Sequence, residues 1–590
     1  MSITTWAEFI ETPDTEKEYL VAIQLAKPAT SGFNPWTYYA PGVYHAPLTL
    51  EKYSYPASQA SYYQFMYQGV KYGNADDLET LLIYPYPPIC YFDFDAGRLY
   101  VRSGAGPAPN DGTALKLFWM FFSKTGKTPY SDPQPLYANR VISIPVITSQ
   151  AQEFLFGRAI ISSGALVLDN GRVPDCDYKG FLEEEFYQYL WANRKTVIYV
   201  GGADLPRSEY KQIWGGVISS VEKSEKQLTI MLKDVQSLLD VDVTAATYTT
   251  AAYPHLEQGA EGKIIPQVFG ACRNVRPTQV DTTNWTFQIC NHDVYAIDEV
   301  REDGIPITAG AISKYPQWGL FILSSYAGGV ITCDVRGRKN NDGSLMQLYG
   351  DIFLYLIATV AGMTSDQYDA AAISAMNTSM PYALGIYIDS QQKVRDVLSL
   401  MDNSVLAWHG CNRSGLLTAE PWALPDPAEV DKKTFTSANI MEPRERISSA
   451  NLAAEVRIGY QKNWCVQPDT ATKAGANRQN WAHDFLWCSL ANTAAKYVHA
   501  ATETKKIETL LVYDTDAAAV AALIQELTSS PWAIIEFTSK LKPLDTELGD
   551  TIEVVRDRTI FPDGDNNFKI FDYREDHNRS RITISAFRPL

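Results

Sequence analysis

The chain has 590 residues, 46% of them hydrophobic and 20% charged; this is an ordinary balance for a protein that folds in water, in a chain too long for one hydrophobic core, so about three to five domains are expected. Lys and Arg number 51 against 68 Asp and Glu, a formal charge of -17, and that field repels phosphate backbones and disfavours direct nucleic-acid binding. No stretch approaches the roughly 18 unbroken apolar residues of a membrane span, and residues 1–10 lack the basic start and apolar run of a secretory signal, so assembly in a cytoplasm is expected.

Nine tyrosines fall between Tyr38 and Tyr72, interleaved with Pro, Gly and Ser, a pattern of short strands and turns. Residues 89–101 carry further β formers, and residues 117–123 form an apolar run suited to a core strand. A separate β-rich unit is expected to end near Pro145. From Phe156 the pattern changes to brief strands between glycine-bearing turns, as in residues 164–171 (GALVLDNG) and 195–202 (KTVIYVGG). Leu228, Ile230 and Leu232 share one face at period two, opposite Thr229, Met231 and Lys233, which predicts a strand with one face buried.

Two helices stand out further on. Val394, Val397, Leu398 and Met401 follow helical spacing after Asp389 and Ser390 as caps, and Val520, Leu523, Ile524 and Leu527 repeat that spacing after Asp514 and Asp516. The chain closes on three strand-like pieces, residues 549–555, 568–572 and 581–585, separated by polar turns such as residues 562–567 (PDGDNN). The Gly549-Asp550 pair reads as a tight turn feeding the strand at Ile552, with Gly549 at positive φ.

These segments, in this order, resemble tail and baseplate hub proteins of long-tailed bacteriophages and related prophages. The similarity runs through residues 164–171, Trp191, 200–202, 213–218 (IWGGVI) and 228–234 (LTIMLKD), then 266–275 (PQVFGACRNV), 294–304 (VYAIDEVREDG) and 329–337 (GVITCDVRG), and ends with 509–512 (TLLV) and 548–552 (LGDTI). It covers residues 155–590 and is one of pattern order. The resemblance implies a mainly β fold with some α, built of small barrel or sandwich domains, in a trimeric or pseudo-sixfold ring around the tail axis. It also implies a place in the virion at the tail tip or baseplate, with other tail proteins and fibres as partners.

On that basis the expected units are a Tyr-rich β domain over 1–150, a first hub-like barrel over 155–245, a second β domain over 260–340, a mixed α/β segment over 345–425, and a C-terminal α+β unit over 430–590 that ends in a β-sheet. The expected function is structural assembly. A receptor- or glycan-binding tail protein is the second reading and a tail-associated cell-wall hydrolase the third; saturable sugar affinity marks the former and peptidoglycan clearing the latter.

The sequence points to no catalytic, cofactor-binding or metal-binding residue. His45, His255, His292, His409, His483, His499 and His577 are dispersed, without an HExxH pair. Neither a GxSxG elbow nor a GxxxxGK[ST] loop is present, and Glu183, Glu184 and Glu185 read as solvated carboxylates. Some tail-tip proteins of the resembled family carry an iron-sulfur cluster, which draws attention to Cys272, Cys290 and Cys333; wide spacing favours buried thiols instead. Asp563, Asp565, Asn566 and Asn567 around Gly564 suit a hairpin turn better than a calcium loop. The front tyrosines read as core and interface packing rather than a sugar site.

Overall fold

The computed structural model describes residues 138–153, 156–171, 189–202 and 205–590 apart from 430–431, 468–478, 541–545, 560 and 562–563, together with 182, 186–187 and strand segments between 17 and 124. The fold is mainly β with some α.

A ten-stranded sheet holds, in spatial order, Val141–Ser143, Ala165–Asp169, Gln227–Lys233, Lys211–Lys223, Lys195–Gly202, Lys17–Lys27, Lys116–Ser123, Gln64–Tyr67 and Val70–Lys71, with Ala138–Asn139 added beside Lys116–Ser123. The alternation predicted for Gln227–Lys233 is present: Leu228, Ile230 and Leu232 are buried and Met231 is exposed. Lys17–Lys27 lies between Lys195–Gly202 and Lys116–Ser123, with Leu20, Val21 and Ile23 in the core. The strand pairing therefore crosses the boundary expected near residue 150. Taking away residues 1–150 would remove strands from the interior of this sheet and expose the backbone edge of Lys195–Gly202.

A second, eight-stranded sheet runs Phe156–Ser163, Ile147–Glu153, Asn567–Asp576, Arg581–Pro589, Trp532–Lys540 and Ile440–Ser448, with Thr551–Val555 on Asn567–Asp576 and Lys433–Thr436 parallel to Thr551–Val555. The two sheets share one ribbon. Val141–Ser143 pairs with Ala165–Asp169 in the first sheet; a few residues on, Ile147–Glu153 pairs with Phe156–Ser163 in the second. The corner between them is made by Ile144, Pro145 and Val146 opposite Gly164. Ile147 then faces Glu575, and Gln150 faces Asp572. The expected boundaries at 155 and 430 are thus also crossed by pairing, since residues 147–163 complete the C-terminal sheet.

Residues 267–336 form two small four-stranded sheets around a core that includes Phe287, Ile289, Val300, Phe321 and Val335. Helical structure follows, with Tyr349–Leu354 running into a π turn over Tyr355–Val360, then Ala370–Ser379 and Val394–Val405. Helix Val394–Val405 buries Val394, Val397, Leu398 and Met401 as its spacing predicts, but its N-cap is Lys393 and no side chain caps it. Asp389 and Ser390 sit too far upstream because the helix starts after an extended segment. Helix Asp514–Thr528 buries Val520, Ile524 and Leu527 against the strands Glu455–Tyr460 and Leu486–Ala491. Asp516 in its first turn accepts the Ala383 N–H at 3.0 Å, so a residue expected to cap the helix instead ties it to the chain before Ile386–Ile388.

Gly549 has φ +87, as its place before the terminal strand predicts, and a Cβ there would come within 3.3 Å of Glu420 Oε2 and 3.4 Å of Trp408. Gly549→Val is expected to destabilise the protein by about 1 kcal/mol or more through backbone strain and this crowding. Urea denaturation of the two proteins measures it; coincident curves would refute the turn assignment.

Candidate functional site

The titratable groups gather where the ribbon, the 407–421 hairpin and the C-terminal sheet meet. Arg413 lies in the turn between Ala407–Cys411 and Leu417–Pro421. Its guanidinium donates to Glu575 and to the Thr546 carbonyl, and stands over the Tyr573 ring at 5.4 Å. Glu575 also meets His577 Nε2 at 3.1 Å, and Arg413, Glu575 and His577 are all buried. Burial alone would raise the Glu575 carboxyl; the Arg413 charge, helped by His577, overrides it and holds the group down at about 2. One residue beyond His577, Asn578 clamps the corner of the ribbon, accepting from Ile144 N at 3.2 Å and donating to Ile144 O at 2.7 Å.

A second buried set links helix Val394–Val405 to its hairpin. Asp402 accepts from Tyr349 Oη at 2.6 Å and lies 2.6 Å from His409 Nδ1, with all three residues fully buried. An imidazole held by a carboxylate is the geometry of an oriented base. Here Nε2 is buried without a hydrogen-bond partner among the described residues, and the ring packs edge-on to Phe353 at 5.8 Å. What the arrangement does is cross-link three elements.

Glu420, Glu547 and Asp550 form an acidic notch beside Gly549. Glu420 is open to solvent on one side but hemmed in on the other, and desolvation first, then repulsion by Asp550 and Glu547, raises it to about 7. Desolvation likewise raises Glu547 and Asp550, against the pull of Arg413 on both and of Lys569 on Asp550.

The structure brings Cys272, Cys290 and Cys333 into one apolar core. Burial pushes the Cys290 thiol up to about 12 and raises the Cys272 and Cys333 thiols as well, as expected of thiols packed in an apolar core. Among the described residues no group of three or more His, Cys, Asp or Glu side chains is placed to hold a metal ion. His292 is pushed down to about 4 by burial and by Arg338. His255 and His483 are exposed. Asp565 accepts from Asn567 N at 2.9 Å, a local turn contact. Glu183, Glu184, Glu185, Asp563 and the side chains of the front tyrosines lie outside the described residues.

Sequence reasoning passed over Arg413, Glu575, Asn578 and Asp402. Asp402 left a signal, since it falls four residues after Leu398 on the buried face of its helix. The other three left none, because their partners are remote in sequence.

No family model and no curated protein matches the chain. Among solved structures it is similar to the 43 kDa tail protein of prophage MuSo2 from Shewanella oneidensis, at 11% identity over 76% of this chain and 94% of that one, with a TM-score of 0.34. It is similar to a chain of a native gene transfer agent virion at 12% identity over 59% and 88%, with a TM-score of 0.39. A tail protein from Neisseria meningitidis MC58 is similar at 12% identity over 76% and 92%, with a TM-score of 0.36.

Two outcomes follow from the buried charges. Glu575→Gln leaves Arg413 charged and buried without its counter-ion, and a loss of about 3–5 kcal/mol is expected, much of it recovered when Arg413→Met and Glu575→Leu are combined; denaturant titration reads both. Glu420 has a folded-state pKa above its ordinary 4.5, so its favourable contribution is complete below about pH 4.5 and lost as pH rises through about 7. Glu420→Gln should therefore melt above the wild type near neutral pH, with the gap closing toward about pH 4.5. A gap independent of pH would exclude this account.

Proposed function

We propose that the protein is a structural component of a bacteriophage tail, a baseplate hub that assembles with copies of itself into a ring around the tail axis and docks fibres or other tail proteins. The reading begins from the order of sequence patterns over residues 155–590. The observation that carries it is the outer edge of the eight-stranded sheet. Among the described residues strand Ile440–Ser448 pairs on one side only, with Trp532–Lys540, and all its side chains are exposed or half-buried. Ile447 at its end is 72% exposed.

Nearby elements add to that edge. Asn451 donates to the Leu527 and Ser530 carbonyls, and Asn492 donates to the Thr528 carbonyl, which ties the end of the strand to the turn that carries Tyr497 and Val498, both 73% exposed. Ile447, Tyr497 and Val498, left this open on a chain of charge -17, support a contact surface covered in an assembly. A bulge between Met441 and Arg444, with Pro443 inside it, hinders a further strand from adding to the first half of the outer edge. The second half, from Glu445 to Ser448, is left as the contact.

The test is the assembly state by native mass measurement, alone and with co-expressed tail proteins. Ile447→Lys and Tyr497→Lys are expected to leave the melting temperature within a degree or so, since exposed sites contribute little to stability, while dissociating the oligomer by about tenfold or more in affinity. A monomeric wild type that takes up no tail protein would overturn the reading.

A further inference from the structure

We propose that the surface around Trp318 is a binding site for neutral saccharides, built from the stacked Tyr315–Trp318 pair, the neighbouring Tyr295 and the Asp298–Arg336 ion pair. This site lies on the 267–336 unit and stands independently of the hub reading.

Trp318 is 59% exposed, and its ring stacks on Tyr315 with centroids 5.5 Å apart and planes 23° apart. One face is thus backed by an aromatic ring while the rest meets solvent. The turn that presents it is fixed. Pro316 opens it, and Gly319 closes it at φ +59, where a Cβ would fall 2.6 Å from the Cys290 carbonyl oxygen. Val294 N donates to the Pro316 carbonyl at 2.9 Å, which sets the turn beside Tyr295, itself 42% exposed. The Arg336 guanidinium lies 4.8 Å from the Tyr295 ring and grips Asp298 through Nε and Nη2, at 2.8 Å for the shorter contact. Lys314 Nζ closes the circuit by donating to the Asp298 carbonyl at 2.5 Å.

Each part matches one feature of a sugar. A pyranose ring has a face of weakly positive C–H groups, which the negative face of an indole or phenol attracts. Its rim carries adjacent hydroxyls, which a carboxylate accepts and a guanidinium serves as donor in pairs. The Asp298 and Arg336 side chains are each about two-fifths exposed and so remain reachable while paired. The patch is poor in what a protein partner needs. Within residues 267–336 the large apolar side chains left exposed are Tyr295, Ile305 and Trp318, without the aliphatic centre of a protein interface. The Arg336 cation is matched by Asp298, and Lys314 beside them stands on a chain of charge -17, whose overall field disfavours anionic glycans. Because the turn is already rigid, little ordering cost opposes binding.

The test uses the full chain, titrated with neutral malto-, cello-, chito- and galacto-oligosaccharides and with phosphorylated counterparts, read by tryptophan fluorescence and calorimetry. At least one neutral series should saturate, and its phosphorylated form should bind more weakly. Trp318→Ala should weaken binding by about tenfold or more, Trp318→Phe by about threefold or less, and Asp298→Asn by an intermediate factor. Thermal melts confirm folding of each variant, and Asp298→Asn keeps the test decisive if Trp318→Ala does not fold. Failure of every neutral series to saturate by about 10 mM, or equal binding by Trp318→Ala, overturns the proposal. So does loss of a tail-protein contact on Trp318→Ala with no sugar bound.

Discussion

The structure depends on one antiparallel ribbon that changes sheets at a corner. Residues 141–143 and 165–169 belong to the ten-stranded sheet, and residues 147–163 between them belong to the eight-stranded one. A ribbon twisted through such a corner loses ladder bonds at the bend, and the exposed backbone groups need other partners. Asn578 supplies them, since its amide both donates to and accepts from Ile144, acting as a ladder residue from a turn 434 positions away. With Ile147 opposite Glu575, the same few residues of the C-terminal strand hold the backbone of the corner and the buried charge of Arg413. Sheets that are separate in sequence are thereby closed over one continuous core, in which Ile144 and Ile147 sit alongside Ile570 and Ile584.

That joint explains which parts of the molecule were legible in the sequence. Local signals were read correctly where geometry is set within a few residues. Examples are the face of Leu228, Ile230 and Leu232, the stripe of helix Val394–Val405, and the positive φ of Gly549. Elements whose role depends on remote partners were not. Lys17–Lys27 has the composition of an ordinary strand, yet its two neighbours in the sheet, Lys116–Ser123 and Lys195–Gly202, lie far along the chain. The composition change near Pro145, taken as a domain boundary, falls instead at the corner where the ribbon passes between sheets. A proline and a glycine are what such a bend requires, and they are also what a linker looks like. The helix caps illustrate the same limit on a smaller scale, because Asp516 was recruited by Ala383 from another element.

The buried charges divide by whether they are compensated. Around Glu575 one guanidinium meets one carboxylate, with the His577 imidazole beside them, and the pair locks the hairpin turn to the terminal sheet in one orientation. Replacing such a pair by apolar residues often costs nothing, whereas removing one member is expensive, so its effect is to penalise every arrangement in which Arg413 misses Glu575. A few residues away the balance fails. Glu420, Glu547 and Asp550 face one another with Lys569 and Arg413 as the nearby cations, and Arg413 is already engaged. The notch therefore opposes close approach of the 417–421 strand and the 546–551 turn near neutral pH, while Arg413, in the adjoining hairpin turn, holds that turn to Thr546 and Glu575.

The outward faces differ in chemistry, and this difference bears on what each meets. At the edge of Ile440–Ser448 the exposed groups are a backbone with no second strand beside it among the described residues, the charged side chains of Glu442, Arg444, Glu445 and Arg446, and Ile447 near the strand end; covering Ile447 with another apolar surface recovers free energy, while the charges need partners of their own. Around Trp318 the exposed groups are aromatic faces framed by an ion pair, and covering them with an apolar surface would desolvate Asp298 and Arg336 without offering them new partners. A ligand that brings its own hydroxyls avoids that penalty. The first surface is suited to a folded protein and the second to a polyhydroxylated ligand. If either proposed partner binds, the joint between the two sheets and the turn at Gly319 would already hold its surface in place.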